Sequence, residues 1–162
     1  MPETCAYFYI LGFECDPAVI TSHLSLEPTK IWRRGDAHPR RKNHFFDCSG
    51  WELDSALPRD GYDLDALVRA LVDRLHPLAD RLAALPPHKS KGINCVGYYF
   101  SENPGFHLTA DLAGKIGRLG LEVDFDLYNL RDSDELYFMR VPEEPNQSPE
   151  PTSGLTPGRG SS

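Results

Sequence analysis

The chain has no apolar run long enough to cross a membrane as a helix. Its longest, Ala6 to Phe13, covers eight residues even with Gly12 counted, where a helical span needs about 20. The opening Met1-Pro2-Glu3-Thr4 has neither the basic n-region nor the apolar h-region of a secretory leader. No leader is therefore expected, and the predicted location is cytoplasmic. Positive charge is also in short supply. Seventeen Lys and Arg against 24 Asp and Glu leave a formal charge of −7, which argues against general binding to nucleic acid or to an anionic lipid surface.

Cysteine is sparse and shows no pairing pattern. Cys5, Cys15, Cys48 and Cys95 form no Cys-x-x-Cys unit, and His23, His38 and His44 stand at no zinc-ligand spacing from them. No metal site and no structural disulfide are expected. The four read as reduced thiols, with Cys48 and Cys95 placed in strand-like runs as small buried hydrophobes. Phosphate-cradling and serine-elbow signatures are missing too: there is no Gly-x-x-x-x-Gly-Lys-Ser/Thr, no Gly-x-Gly-x-x-Gly and no Gly-x-Ser-x-Gly. No cofactor is expected and no catalytic residue is assigned.

What remains is a globular mixture, 40% hydrophobic and 25% charged over 162 residues, enough for one domain and a tail. The tail is expected from Pro142 to Ser162, where five prolines, three glycines and four serines accompany one large aliphatic residue, Leu155. Such a segment buries too little apolar surface to offset its ordering entropy, so disorder is predicted there and a single folded unit over residues 1–141.

Within that unit, Ala6 to Phe13 is apolar on both alternating faces and predicts a central strand buried on both sides. Asp16-Pro17 supplies a helix cap and a first-turn proline, and Val19, Ile20, His23 and Leu24 follow at helical spacing. Lys30 to Arg34 and Phe45 to Leu53 predict two more strands, with Phe45, Ser49, Trp51 and Leu53 on one face. A leucine stripe from Leu64 to Leu85 predicts a long helix, broken or kinked at Pro77. Ile93 to Phe100 is a further strand, followed by a turn at Asn103-Pro104-Gly105. Thr109 caps a helix that Gly120 closes, with Gly114 and Gly117 suggesting close packing on the sheet. Leu121 to Leu130 alternates cleanly, and a last short strand is expected over Leu136 to Val141. This order predicts an α+β fold: a mixed, mostly antiparallel sheet with two to three helices packed on one face.

Two clusters stand out chemically. Asp124 and Asp126, two apart on a strand, leave one face together, so they suit a divalent cation, a shared proton or a solvated outer surface. The segment Arg33 to Lys42 carries five cations and one acid, Asp36. With this segment at +4 and the tail at −2, the rest of the chain carries −9. Trp32 stands beside it, ready to stack on an anionic partner's surface or a ligand. If the segment is partly structural, Arg33 or Arg34 should pair with the acids of the Glu122, Asp124 and Asp126 face.

Several phrases taken together carry a resemblance. They are Gly12-Phe13, Asp16-Pro17, Ile20-Thr21, Thr29 to Trp32, Gly35-Asp36, Gly50-Trp51-Glu52-Leu53, Asn103-Pro104-Gly105, His107-Leu108 and Asp124-Phe125-Asp126-Leu127-Tyr128. In this order and spacing the chain resembles the bacterial family known as domain of unknown function 4279, from about Tyr7 to Tyr128. The resemblance implies a compact single domain and brings no established activity with it. Trp32, Gly35, Asp36, Trp51, Asp124, Asp126 and Tyr128 match the family phrases and, with Arg33 and Arg34, form the candidate binding set. The leading expectation is a protein-binding module, including the immunity type that neutralises a partner protein, with its acidic surface speeding encounter. The alternative is a small-ligand binder or enzyme centred on Asp124, Asp126 and the strand end from Trp32 to Asp36.

Overall fold

The computed structural model describes residues 3–39, 41–58, 63–99 and 105–129. The Asn103-Pro104 pair, Arg40, the strand expected over Leu136 to Val141 and the tail expected from Pro142 lie outside these residues.

Five strands form one sheet: β1 (Glu3–Leu11), β2 (Lys30–Trp32), β3 (Gly50–Asp54), β4 (Ser90–Tyr99) and β5 (Glu122–Asn129). Their order across the sheet is β2-β3-β1-β4-β5. β1 pairs antiparallel with both β3 and β4, and β2 pairs antiparallel with β3. Only β4 and β5 run parallel, and the helix α4 (Ala110–Arg118) makes the crossover between them that a parallel pair requires. The sheet is thus mixed and mostly antiparallel, as the pattern predicted.

The helices begin and end where their caps dictate. Asp16 accepts the Ala18 N–H at 2.9 Å ahead of α1 (Pro17–Leu24), and Thr109 accepts the Leu112 N–H ahead of α4. Gly120, at φ 63°, turns the chain out of α4 in the left-handed conformation expected of a residue just past a helix end. The leucine stripe breaks at Pro77: α2 (Leu64–Leu75) gives way to a 3-10 turn over His76–Leu78, and α3 (Ala79–Ala83) follows. Among the described residues no helix is long and apolar enough to cross a membrane.

One face of the sheet receives all of these helices. Ala6, Phe8 and Ile10 of β1, Trp51 and Leu53 of β3, and Ile93 and Cys95 of β4 join Ile20, Leu24, Val68, Leu71, Leu75, Leu82, Leu112 and Ile116 in one core. The period-2 alternation of a strand then forces the intervening residues onto the opposite face. β1 is central, but its second face carries Tyr7 and Tyr9 rather than a second helix layer.

Three expectations shift. β3 starts at Gly50, not Phe45: the described residues between Arg33 and Ser49 form an irregular hairpin held by Gly35 N–H to Phe46 O, Phe46 N–H to Asp36 O and His38 N–H to His44 O bonds. Phe45 is accordingly 61% exposed instead of sharing the core face with Trp51 and Leu53. Cys48 lies in this hairpin rather than in a strand, whereas Cys95 is buried and its thiol is pushed up to about 12 by desolvation. Gly114 and Gly117 do not pack closely on the sheet, since a Cβ at either would meet open space or only the Arg118 side chain.

Candidate functional site

Strand register sets the site. On the face away from the helices, Lys30, Glu52, Tyr9, Gly92 and Glu122 fall in one row across the sheet. Asp54, Tyr7, Asn94 and Asp124 form the next row, and Trp32, Gly50, Leu11 and Ser90 lie on the other side of the first. Two glycines make room for aromatic rings to lie flat on this surface. A Cβ at Gly50 would sit 2.0 Å from the Trp32 ring, and one at Gly92 would sit 2.7 Å from the Tyr9 hydroxyl. Any side chain at either position would lift its ring off the sheet.

The aromatic wall is built on Trp32. Its indole stacks on Phe46 of the hairpin, with centroids 4.8 Å apart, and Phe46 in turn contacts His38 at 5.0 Å. The Lys30 ammonium lies 4.5 Å from the Trp32 ring centroid and 3.3 Å from Glu52 Oε2. Glu52 is largely buried here. Desolvation raises its pKa above the ordinary carboxylate value, and Lys30 only partly opposes the rise.

The floor is phenolic. The Tyr9 hydroxyl donates to Asp124 Oδ2 at 2.6 Å and lies 3.5 Å from Glu122 Oε2. Burial, followed by these carboxylates, pushes the Tyr9 pKa far upward. Asn94 Nδ2 donates to the Tyr7 hydroxyl at 2.7 Å and to Asp126 Oδ2 at 3.0 Å, and burial raises Tyr7 to about 12. Both phenols are therefore held protonated as hydrogen-bonding groups, Tyr9 donating to Asp124 and Tyr7 accepting from Asn94.

Between wall and floor lies a cleft of about 420 Å³, lined by Tyr7, Tyr9, Leu11, Trp32, Glu52, Ser90, Asn94, Glu122 and Asp124. Two residues of its lining each carry a buried side-chain polar atom, Trp32 Nε1 and Asn94 Oδ1, that has no hydrogen-bond partner among the described residues. Buried polar groups are nearly always satisfied, so each orphan calls for an explanation.

The candidate residues divide accordingly. Trp32 and Asp124 line the cleft, while Asp126 and Tyr128 continue the same face along β5, where Tyr128 stacks on Tyr98 at 5.1 Å. Trp51 is on the opposite face, fully buried, edge-on to Phe8 and donating its Nε1–H to Thr21 Oγ1 at 3.0 Å. Asp36 accepts the Arg33 N–H and Gly35 takes φ 87°, so both shape the turn after β2. Arg33 and Arg34 line a separate cleft of about 390 Å³ with the Gly12 to Asp16 turn, Asp47, Cys48 and Ser49. There Arg33 pairs with Asp16 at 2.5 Å, not with the β5 acids, whose partners are Tyr9 and Asn94. Asp16 sits below the usual carboxylate range, chiefly through the Ala18 N–H and then through Arg33. Tyr7, Tyr9, Glu52 and Asn94 were missed at the sequence level. Their signal was a polar tip at alternate positions of otherwise apolar strands.

Among the described residues no group of three or more His, Cys, Asp or Glu side chains could hold a metal ion. Asp124 and Asp126 bond to different neighbours and gain no third ligand.

The sign of the Glu52 shift gives a test. Because its folded pKa is raised, the folded state holds a proton more tightly than the unfolded chain. Stability then falls as pH rises through a window that begins in the ordinary carboxylate range and extends above it. Glu52→Gln should therefore be no less stable than wild type at neutral pH and should flatten that slope. Urea melts across the window check this; a variant that loses stability at neutral pH would contradict it.

Neither the curated proteins nor the solved structures yielded a match to this chain. The sequence model for the family described as Domain of unknown function (DUF4279) matches residues 2–130. The match takes in all five strands and every residue that lines the cleft, and the chain belongs to that family.

Proposed function

We propose that the domain is a binding module that recognises a partner protein through the open face of its sheet, with the cleft beside Trp32 at the centre of the contact. One observation carries the reading. Trp32 and Asp124, far apart in sequence, line a single cleft, and two of its lining residues, Trp32 and Asn94, carry buried polar atoms without partners. Aromatic residues at the centre of a patch, edged by charged groups, are what recognition surfaces use to concentrate their binding energy. Neutralisation of a basic partner, the immunity-type role, is one biological form of this reading, and what supports it is the acidic charge of the chain. A small-ligand site is the second reading, favoured by a cleft volume that falls within the usual range for such sites.

Footprinting the complex tests the first reading. A partner is first captured from the native source and identified, and the purified complex is then labelled by lysine acetylation and hydroxyl-radical oxidation. Lys30 and Tyr128, both well exposed on the open face, should be protected several-fold. Val19 on α1, on the helix side, should label as in the free protein. Protection at Val19 with Lys30 and Tyr128 unchanged would refute the proposal.

A further inference from the structure

The cleft offers an unequal set of groups. Three carboxylates, Glu52, Glu122 and Asp124, face one ammonium, Lys30, which is already engaged by Glu52 and the Trp32 ring. At the β4–β5 end, Asn94 and Asp124 are register partners and Glu122 precedes Asp124 by two on the same face. That end therefore gathers three side chains with acceptor oxygens, including the unpartnered Asn94 Oδ1. An occupant must bring several donors in one compact head and carry positive charge.

The Trp32 end asks for the opposite. Trp32 is 8% exposed, and its buried Nε1–H has no acceptor among the described residues. No cationic head, ammonium or guanidinium, has an acceptor to give it, so the acceptor must come from elsewhere on the same occupant. A neutral polyol would satisfy it but would leave the carboxylates without counter-charge. Guanidinium supplies five N–H donors in a planar fork that fits carboxylates and leaves its carbon chain to cross an aromatic floor. A peptide carbonyl on the same residue supplies the acceptor.

We infer that the cleft takes an arginine side chain presented by the partner protein, its guanidinium against Asp124, Glu122 and Asn94, and its main-chain carbonyl accepting the Trp32 indole N–H. This inference rests on the open-face reading above and specifies its ligand. Lys30 is paired with Glu52 beside the same ring, so the carboxylates left for the incoming charge are Glu122 and Asp124.

The two tryptophans provide the test. ¹⁵N-labelled protein gives one indole N–H resonance for Trp32 and one for Trp51, and the latter, buried and bonded to Thr21, is the internal control. N-acetyl-arginine methylamide should shift the Trp32 indole and the Asn94 side-chain amide, with the Trp51 indole unmoved. The neutral isostere N-acetyl-citrulline methylamide should bind on the order of tenfold more weakly, as should the arginine probe to Asp124→Asn. An unchanged Trp51 indole in that variant shows that the core is intact. Equal binding of the citrulline probe would overturn the cationic class and leave the cleft standing as a site. No shift with any probe, while the partner still protects Lys30 and Tyr128, would overturn the arginine assignment alone. Arginine-probe binding with Lys30 and Tyr128 unprotected in the complex would overturn both the partner-borne arginine and the open-face reading.

Discussion

Replacing Trp51 by alanine is expected to cost about 3–5 kcal/mol of folding free energy, the range for emptying a large aromatic site in a core. Trp51 is fully buried on the helix-covered face and packs edge-on against Phe8. Its N–H is spent on Thr21 of α1, so truncation also leaves that hydroxyl without its donor and loosens the helix against β3. A domain of this size has roughly 5–15 kcal/mol in hand, and the variant should therefore unfold at much lower urea, followed by far-ultraviolet circular dichroism. A loss under about 1 kcal/mol would mean that the indole does not fill the core. The result also separates the two tryptophans: Trp51 fills the helix-covered core, and Trp32 lies on the open face beside the cleft.

The sequence treats those two tryptophans alike, and the reason is physical. Each lies in a short strand, and each was a reasonable binding candidate. What separates them is parity against Gly50. Trp32 stands directly opposite Gly50 in the β2–β3 register, while Trp51 follows it by one, and a shift of one residue exchanges the faces of a sheet. Register is a property of two strands and of the turn between them, so no single segment reveals it. The irregular hairpin from Arg33 to Ser49 hides it further, because Phe45 to Asp47 imitates the start of a strand.

Local signals fared better. Asp16-Pro17, Thr109 and Gly120 mark helix ends through bonds made within a few residues, and Pro77 breaks its helix through its own ring. The paired aspartates of β5 were legible on one face for the same reason. Their partners, Tyr9 and Asn94, come from other strands and were not. The same holds for Glu52: its neighbours Trp51 and Leu53 mark β3, but only pairing with β2 brings Lys30 and Trp32 to it.

The affinity of an isolated partner for two double variants tests the proposed recognition site most directly. Glu122→Gln with Asp124→Asn removes both β5 charges that face the cleft and keeps the shape of each side chain. Hydrogen bonds to charged groups contribute about 1.5–3 kcal/mol apiece and add incompletely, so the dissociation constant should rise on the order of 100-fold. Arg33→Ser with Arg34→Ser alters the other cleft, where the Arg33–Asp16 pair is exposed on both sides. Exposed pairs contribute about 0–1 kcal/mol, and their loss there should change partner affinity by no more than roughly twofold. Isothermal titration calorimetry at one salt concentration, with folding of both variants confirmed by urea melts, gives the comparison. The β5 variant should lose binding and the arginine variant should keep it; the reverse order would contradict the cleft as the recognition site and place recognition at Arg33 and Arg34.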